Sequence, residues 1–153
     1  MDLGRISAKA QILIRRPVAA VYDAFANPAT MRSFWFGCRD GRLREGETVT
    51  WTLGEAPDAP GFEVRVIRLV PPRMMVVEWG DGESRTTVTW RFERRDARTT
   101  VLRVEETGFG GDPEEIVSSA LDSTGGFNQV IVAAKALLEH GVAINVVADR
   151  AAP

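Results

Sequence analysis

The chain has one cysteine, Cys38, and one histidine, His140, in 153 residues. A single thiol excludes an intrachain disulfide and fits a reducing compartment. One histidine with one cysteine argues against a His/Cys metal site, so no metal is expected. No spacing brings the two together as a nucleophile and base. No apolar run approaches the roughly 18 residues of a membrane span. The N-terminal residues lack the basic region and apolar stretch of a signal peptide, so a cytoplasmic location is expected. With 19 basic and 21 acidic residues, the formal charge is -2. That balance leaves no electrostatic footprint for nucleic acid or an anionic membrane surface. Arg91, Arg94, Arg95 and Arg98 do cluster, but Glu93 and Asp96 are interspersed, as in a solvated hairpin. Gly108-Phe109-Gly110-Gly111 lacks the lysine and spacing of a phosphate-binding loop. No internal repeat or low-complexity segment is present.

What is present is ordinary globular material: 44% apolar and 26% charged residues, enough for one domain over 1–153 with a tail from 142. Ile6, Ala8, Ala10, Ile12 and Ile14 alternate, the mark of a half-buried strand. Pro17 then suits the first position of a helix. Val18, Val21, Tyr22 and Phe25 follow at the spacing of an amphipathic helix, which places Tyr22 in packing rather than chemistry. Asn27-Pro28 stops it. Met31, Phe34 and Trp35 suggest a second short helix, and Gly37 to Gly41 a turn.

The middle reads as strands. Val49, Trp51 and Leu53 alternate with threonines, and Gly54 to Gly61 is a loop. Phe62 to Val70 and Met74 to Trp79 are strands separated by Pro71-Pro72. Gly80-Asp81-Gly82-Glu83 is a hairpin signal. Arg85 to Phe92 and Thr99 to Phe109 complete the set around a turn at Asp96-Ala97. Short connections require antiparallel pairing. Asp112 caps a helix that opens with Pro113, Glu114 and Glu115. The pattern resumes after Gly125-Gly126, which either break the helix or let it approach the sheet closely; a short helix or turn followed by a main helix over 123–140 is the expectation. His140 suits the negative end of that helix's dipole, and Gly141 suits its C-cap. Val142, Ile144, Val146 and Val147 make the tail too apolar to be simply solvated. It is expected to pack on the body or on a second copy, as a homodimer. Strands flanked by helices indicate α+β.

Pro17 to Phe25, Asn27-Pro28 and Phe34-Trp35 resemble the opening of the START-like superfamily, also called SRPBCC. Glu106-Thr107-Gly108-Phe109, Gly126-Phe127 and Leu137-Leu138-Glu139 look like its branch named for the activator of Hsp90 ATPase. Asp122 to Phe127 and Asn145 to Arg150 are similar to a bacterial subset of that branch. The resemblance implies a helix-grip fold: a curved antiparallel sheet of about six strands wrapped around a long C-terminal helix, with two short helices after the first strand. The superfamily spans lipid carriers, hormone receptors, polyketide cyclases and a chaperone co-factor, so the fold does not fix the function. It carries no universal catalytic residues, and no cofactor is implied.

Strand parity names the walls of an interior cavity. Trp51 comes from one strand, Met75, Val77 and Trp79 from another, Trp90 and Phe92 from a third, and Val104 and Glu106 from the last. Phe127, Val130 and Ile131 face them from the helix. Such residues ordinarily fill a core, and the tryptophans and methionines keep a site for an apolar ligand open as the alternative. Glu106 is the candidate acid or base if buried, and a solvated or arginine-paired strand end if not. Glu78, opposite in parity to Trp79, faces solvent. Asp122, Ser123 and Thr124 are read as helix caps, or else as the rim of the cavity. Asn128 is read as exposed, within helical reach of the pocket from Phe127. The leading function is uptake of a small apolar or aromatic molecule. A cyclase- or hydrolase-type enzyme using the same cavity and a chaperone ATPase co-regulator are the alternatives.

Overall fold

The structure, a computed structural model, describes residues 3–150 and every side chain among them except that of Glu83. Residues 151–153 of the expected tail lie outside the described residues. Strand β1 (Ala8–Ile14) leads into helix α1 (Val18–Ala26), which buries Val21, Tyr22 and Phe25 as their spacing requires. Pro17 stands at the N-cap, one position before the first turn. Asn27 closes α1 and caps α2 (Pro28–Met31) by accepting the Ala29 N–H at 3.1 Å. Helix α2 is a single turn. Phe34 and Trp35 therefore lie in the loop beyond it, both buried.

Seven strands form one antiparallel sheet in the order β1-β7-β6-β5-β4-β3-β2. Strand β2 (Gly37–Cys38), where a turn was expected, pairs with β3 (Thr48–Thr52) and raises the count from about six to seven. A Cβ on Gly37 would meet Thr52 Oγ1 at 2.5 Å, so glycine is what lets this edge approach. Strands β4 (Gly61–Val70), β5 (Met74–Trp79), β6 (Thr86–Asp96) and β7 (Thr99–Thr107) complete the sheet. Met75 opposes Trp90, Trp90 opposes Val104, and Val88 opposes Glu106, so one face carries the buried set. Bulges between Val66 and Arg68 and between Arg94 and Asp96 bend the sheet. The first turns Ile67 out to solvent. Leu53 lies one residue past β3 and is 50% exposed. The alternation that placed it inward ends at Thr52.

Helix α3 (Pro113–His140) runs unbroken through Gly125-Gly126. This corrects the expected division into two segments. A capping box between Asp112 and Glu115 starts it, and Gly141, in the left-handed region at φ 68°, ends it. Each interior glycine costs about 1 kcal/mol, a cost offset by burial of Phe127, Val130, Ile131 and Ala134 against the sheet. Asp122, Ser123 and Thr124 are consequently mid-helix residues rather than caps. Helix α4 (Val146–Arg150) folds the tail back, with Val146 and Val147 half-buried while Val142 and Ile144 remain exposed.

The last turn of α3 is tied to the end of β1. Glu139 Oε2 accepts the Arg15 N–H at 2.9 Å and Lys135 Nζ at 2.6 Å, and Lys135 also donates to the Leu13 carbonyl at 2.7 Å. Burial pushes the Glu139 carboxyl up, but the Arg15 N–H and Lys135 outweigh it and hold the pKa below the usual range. The stabilisation is therefore complete above about pH 4.3, the ordinary glutamate value, and is lost as pH falls through the lower folded value. Glu139→Ala is expected to cost about 2–3 kcal/mol in urea unfolding at neutral pH. The variant should also lose part of the acid limb of the stability profile.

Candidate functional site

The inner face of the sheet and α3 enclose an aromatic cluster. Trp35, supplied by the loop after α2, stands at its centre. Its ring lies 5.1 Å from Trp51, 5.4 Å from Trp90, 6.1 Å from Trp79 and 6.5 Å from Phe127. The three contacts among tryptophans are edge-on, a favoured arrangement of aromatic rings, and the one with Phe127 is tilted. They occupy the interior that strand parity marked as a cavity. Trp51, Met75, Val77, Trp90, Phe92, Val104 and Ile131 are each buried in that packed core.

The open space lies above the cluster, at the junction of sheet, α3 and α4. It is a cleft of about 560 Å³. Trp35, Phe36, Leu53 and Trp79 wall it on one side; Asp122, Ser123, Gly126, Phe127, Gln129 and Val130 come from α3; Val146, Val147, Ala148 and Arg150 come from α4. Of the residues expected from parity, Trp79, Phe127 and Val130 reach it. The rings of Trp79 and Phe127 are stacked at 6.0 Å with planes 6° apart. Asp122 and Ser123 take the rim position that was the alternative to capping. Trp35 and Phe36 were not anticipated, because a loop carries no periodicity to show where its side chains point. The apolarity of Val146 and Val147 was a signal that the tail covers something. A larger depression, about 610 Å³, lies on the outer face of the sheet among Lys9, Arg91, Arg103 and Glu105. Its charged walls do not suit an apolar ligand.

Glu106 is 3% exposed and sits directly behind Trp79. Its Oε2 accepts the Trp79 indole N–H at 2.8 Å and the Thr86 hydroxyl, while Oε1 is buried without a hydrogen-bond partner. It neither frays into water nor pairs with an arginine. Glu106 is absent from the cleft wall, so it acts on the cleft through Trp79. Glu78 faces outward and pairs with Arg65 at 3.3 Å. Asn128 is exposed, its amide donating to the Thr124 carbonyl. Burial pushes the Cys38 thiol pKa up, against a thiolate nucleophile. The His140 side chain is 70% exposed. Among the described residues no cluster of three or more His, Cys, Asp or Glu is placed to hold a metal, and no helix is long and apolar enough to cross a membrane.

A curved antiparallel sheet gripping one long C-terminal helix, with a cleft where the two part, defines a START-like helix-grip protein. The family model described as Activator of Hsp90 ATPase homolog 1-like protein matches residues 15–139. The chain belongs to that family. The Staphylococcus saprophyticus protein SSP2350 is 26% identical, with a TM-score of 0.74 over 90% of this chain and 95% of that one. DynU16, a protein in the dynemicin biosynthetic locus, is 18% identical with a TM-score of 0.74, over 90% of this chain and 49% of that one. The Aha1 dimer from Colwellia psychrerythraea is 15% identical with a TM-score of 0.67, over 89% of this chain and 98% of that one. At these last two identities the likeness is one of fold. No curated protein matches the chain in sequence.

Proposed function

We propose that the protein binds a flat apolar or aromatic small molecule in the cleft between α3, α4 and the sheet. The observation that carries this reading is the cleft itself: about 560 Å³, with Trp35, Phe36, Trp79 and Phe127 on its walls. That volume falls in the range of sites for drug-sized ligands, and aromatic walls with a polar rim are how such sites are built. The stacked pair of Trp79 and Phe127 offers planar surface, which favours a planar guest. Binding is favoured over catalysis because the buried carboxyl nearest the cleft, Glu106, is spent on holding Trp79 rather than facing the guest.

Native mass spectrometry of the purified protein should show a bound species, and anilinonaphthalene sulfonate should fluoresce on binding. Ser123→Trp places a large ring at the cleft's rim on a half-buried helical position. It is expected to weaken the probe at least about tenfold, a loss of about 1.4 kcal/mol, with little change in melting temperature. Probe binding that is indifferent to this substitution, together with a bare mass, would sink the reading.

A further inference from the structure

Gly125 and Gly126 have no local reason to stand in the middle of a helix. What they face is the guanidinium of Arg150. A Cβ on Gly125 would lie 3.4 Å from both of its terminal nitrogens, and one on Gly126 would lie 3.7 Å from its central carbon. In this cradle Arg150 Nη2 donates to the Asp122 carbonyl at 2.8 Å and to Asp122 Oδ1 at 2.9 Å. Nη1 donates to Gln129 Oε1 at 3.2 Å.

Arg150 closes α4, a helix of five residues, none of them fully buried, reached through an exposed stretch at 141–145. Five residues are far too few to hold a helix by propensity. Val146 and Val147 nevertheless form the outer wall of the cleft. Val146 and Val147 pack against the core, and the side-chain hydrogen bonds that tie α4 to α3 are made at the cradle. An exposed ion pair alone contributes little, and Asp122 is 79% exposed. Here three hydrogen bonds and contact with bare helix backbone act together.

We propose that Arg150 is a positioning residue of the cleft: a clasp that seats in the Gly125-Gly126 cradle and holds α4 across the site as a wall that must release for ligand to pass. Its purpose rests on the ligand-binding reading, whereas its geometry does not. Arg150 itself reaches the cleft wall beside Gly126, and it also acts through Val146 and Val147, whose position across the site its clasp fixes.

Two variants of the full chain test it from opposite sides. Arg150→Ala removes the clasp. Gly125→Leu keeps it but fills the cradle, while supplying a better helix former than glycine. Trp35 and Trp79 line the cleft, whereas Trp51 and Trp90 are sealed at 1% and 0% exposure. Acrylamide quenching of tryptophan fluorescence should therefore rise about twofold in both variants. Dissociation of anilinonaphthalene sulfonate should speed up about tenfold in both. The melting temperature of Gly125→Leu should hold or rise, which a loss of ordinary structure would not allow. Quenching that matches the parent in both variants would overturn the clasp whatever the probe does. Quenching that rises in both, with no probe bound by parent or variant, would uphold the clasp and remove the ligand-binding reading instead.

Discussion

Trp90→Ala is expected to lose about 3–5 kcal/mol of unfolding free energy, the range for removing a fully buried aromatic. Trp90 is 0% exposed and its ring touches Phe25 at 4.4 Å, Trp35 at 5.4 Å and Phe127 at 5.7 Å. The hole left behind is lined by rings that cannot collapse into it. Since whole domains are stable by about 5–15 kcal/mol, this one change consumes a large share, and urea unfolding at low temperature is the measurement of choice. Trp79→Ala is the matched comparison. That ring is half-buried on the cleft wall, so its removal should cost less stability and most of the probe affinity. If Trp90→Ala costs under about 1 kcal/mol, the interior is looser than its packing implies and the parity-marked cavity returns as a candidate site.

The contrast between these two tryptophans shows what could be read from the sequence and what could not. Period-2 alternation assigns a side chain to one of two faces, and it assigned Trp51, Trp79, Trp90 and Glu106 to the inner one, where Trp79 is half-buried and the other three are buried. Whether an inner face encloses space or matter is a different question. It is decided here by Trp35, a loop residue whose direction no repeat encodes. The helix shows the same limit. Gly125-Gly126 is a sound local signal for a break, and it fails because burial of Phe127, Val130, Ile131 and Ala134 against the sheet carries the helix through. Asp122 and Ser123 were misplaced as caps by the same error, since their role depended on where the helix began. Capping chemistry at Asp112 and Gly141 was legible because it is local.

Glu106→Leu should be the more informative change at the site itself. The leucine leaves the Thr86 hydroxyl, which is 5% exposed, and the Trp79 indole N–H without their shared acceptor. An unpaired buried donor costs about 1–3 kcal/mol. Part of that cost is returned because Oε1, already unpartnered, is removed too. A net loss of about 2–3 kcal/mol is expected in urea unfolding. Freed from Glu106, Trp79 should also lose its parallel register with Phe127, and probe affinity should fall about tenfold. Glu106→Gln separates this positioning role from chemistry. Its amide oxygen can take the place of Oε2 and accept both donors, so stability should stay within about 1 kcal/mol and probe affinity should be kept. If the glutamine variant binds normally but abolishes turnover of some cleft-bound substrate, the carboxyl does chemistry and the enzyme reading replaces the binding one. If instead the leucine variant keeps both its affinity and its tryptophan quenching, Glu106 does not hold Trp79, and the buried carboxyl needs another explanation. The sign of that comparison turns on one bond, the 2.8 Å contact from the Trp79 indole. Through it a carboxyl that never touches the cleft shapes the surface that does.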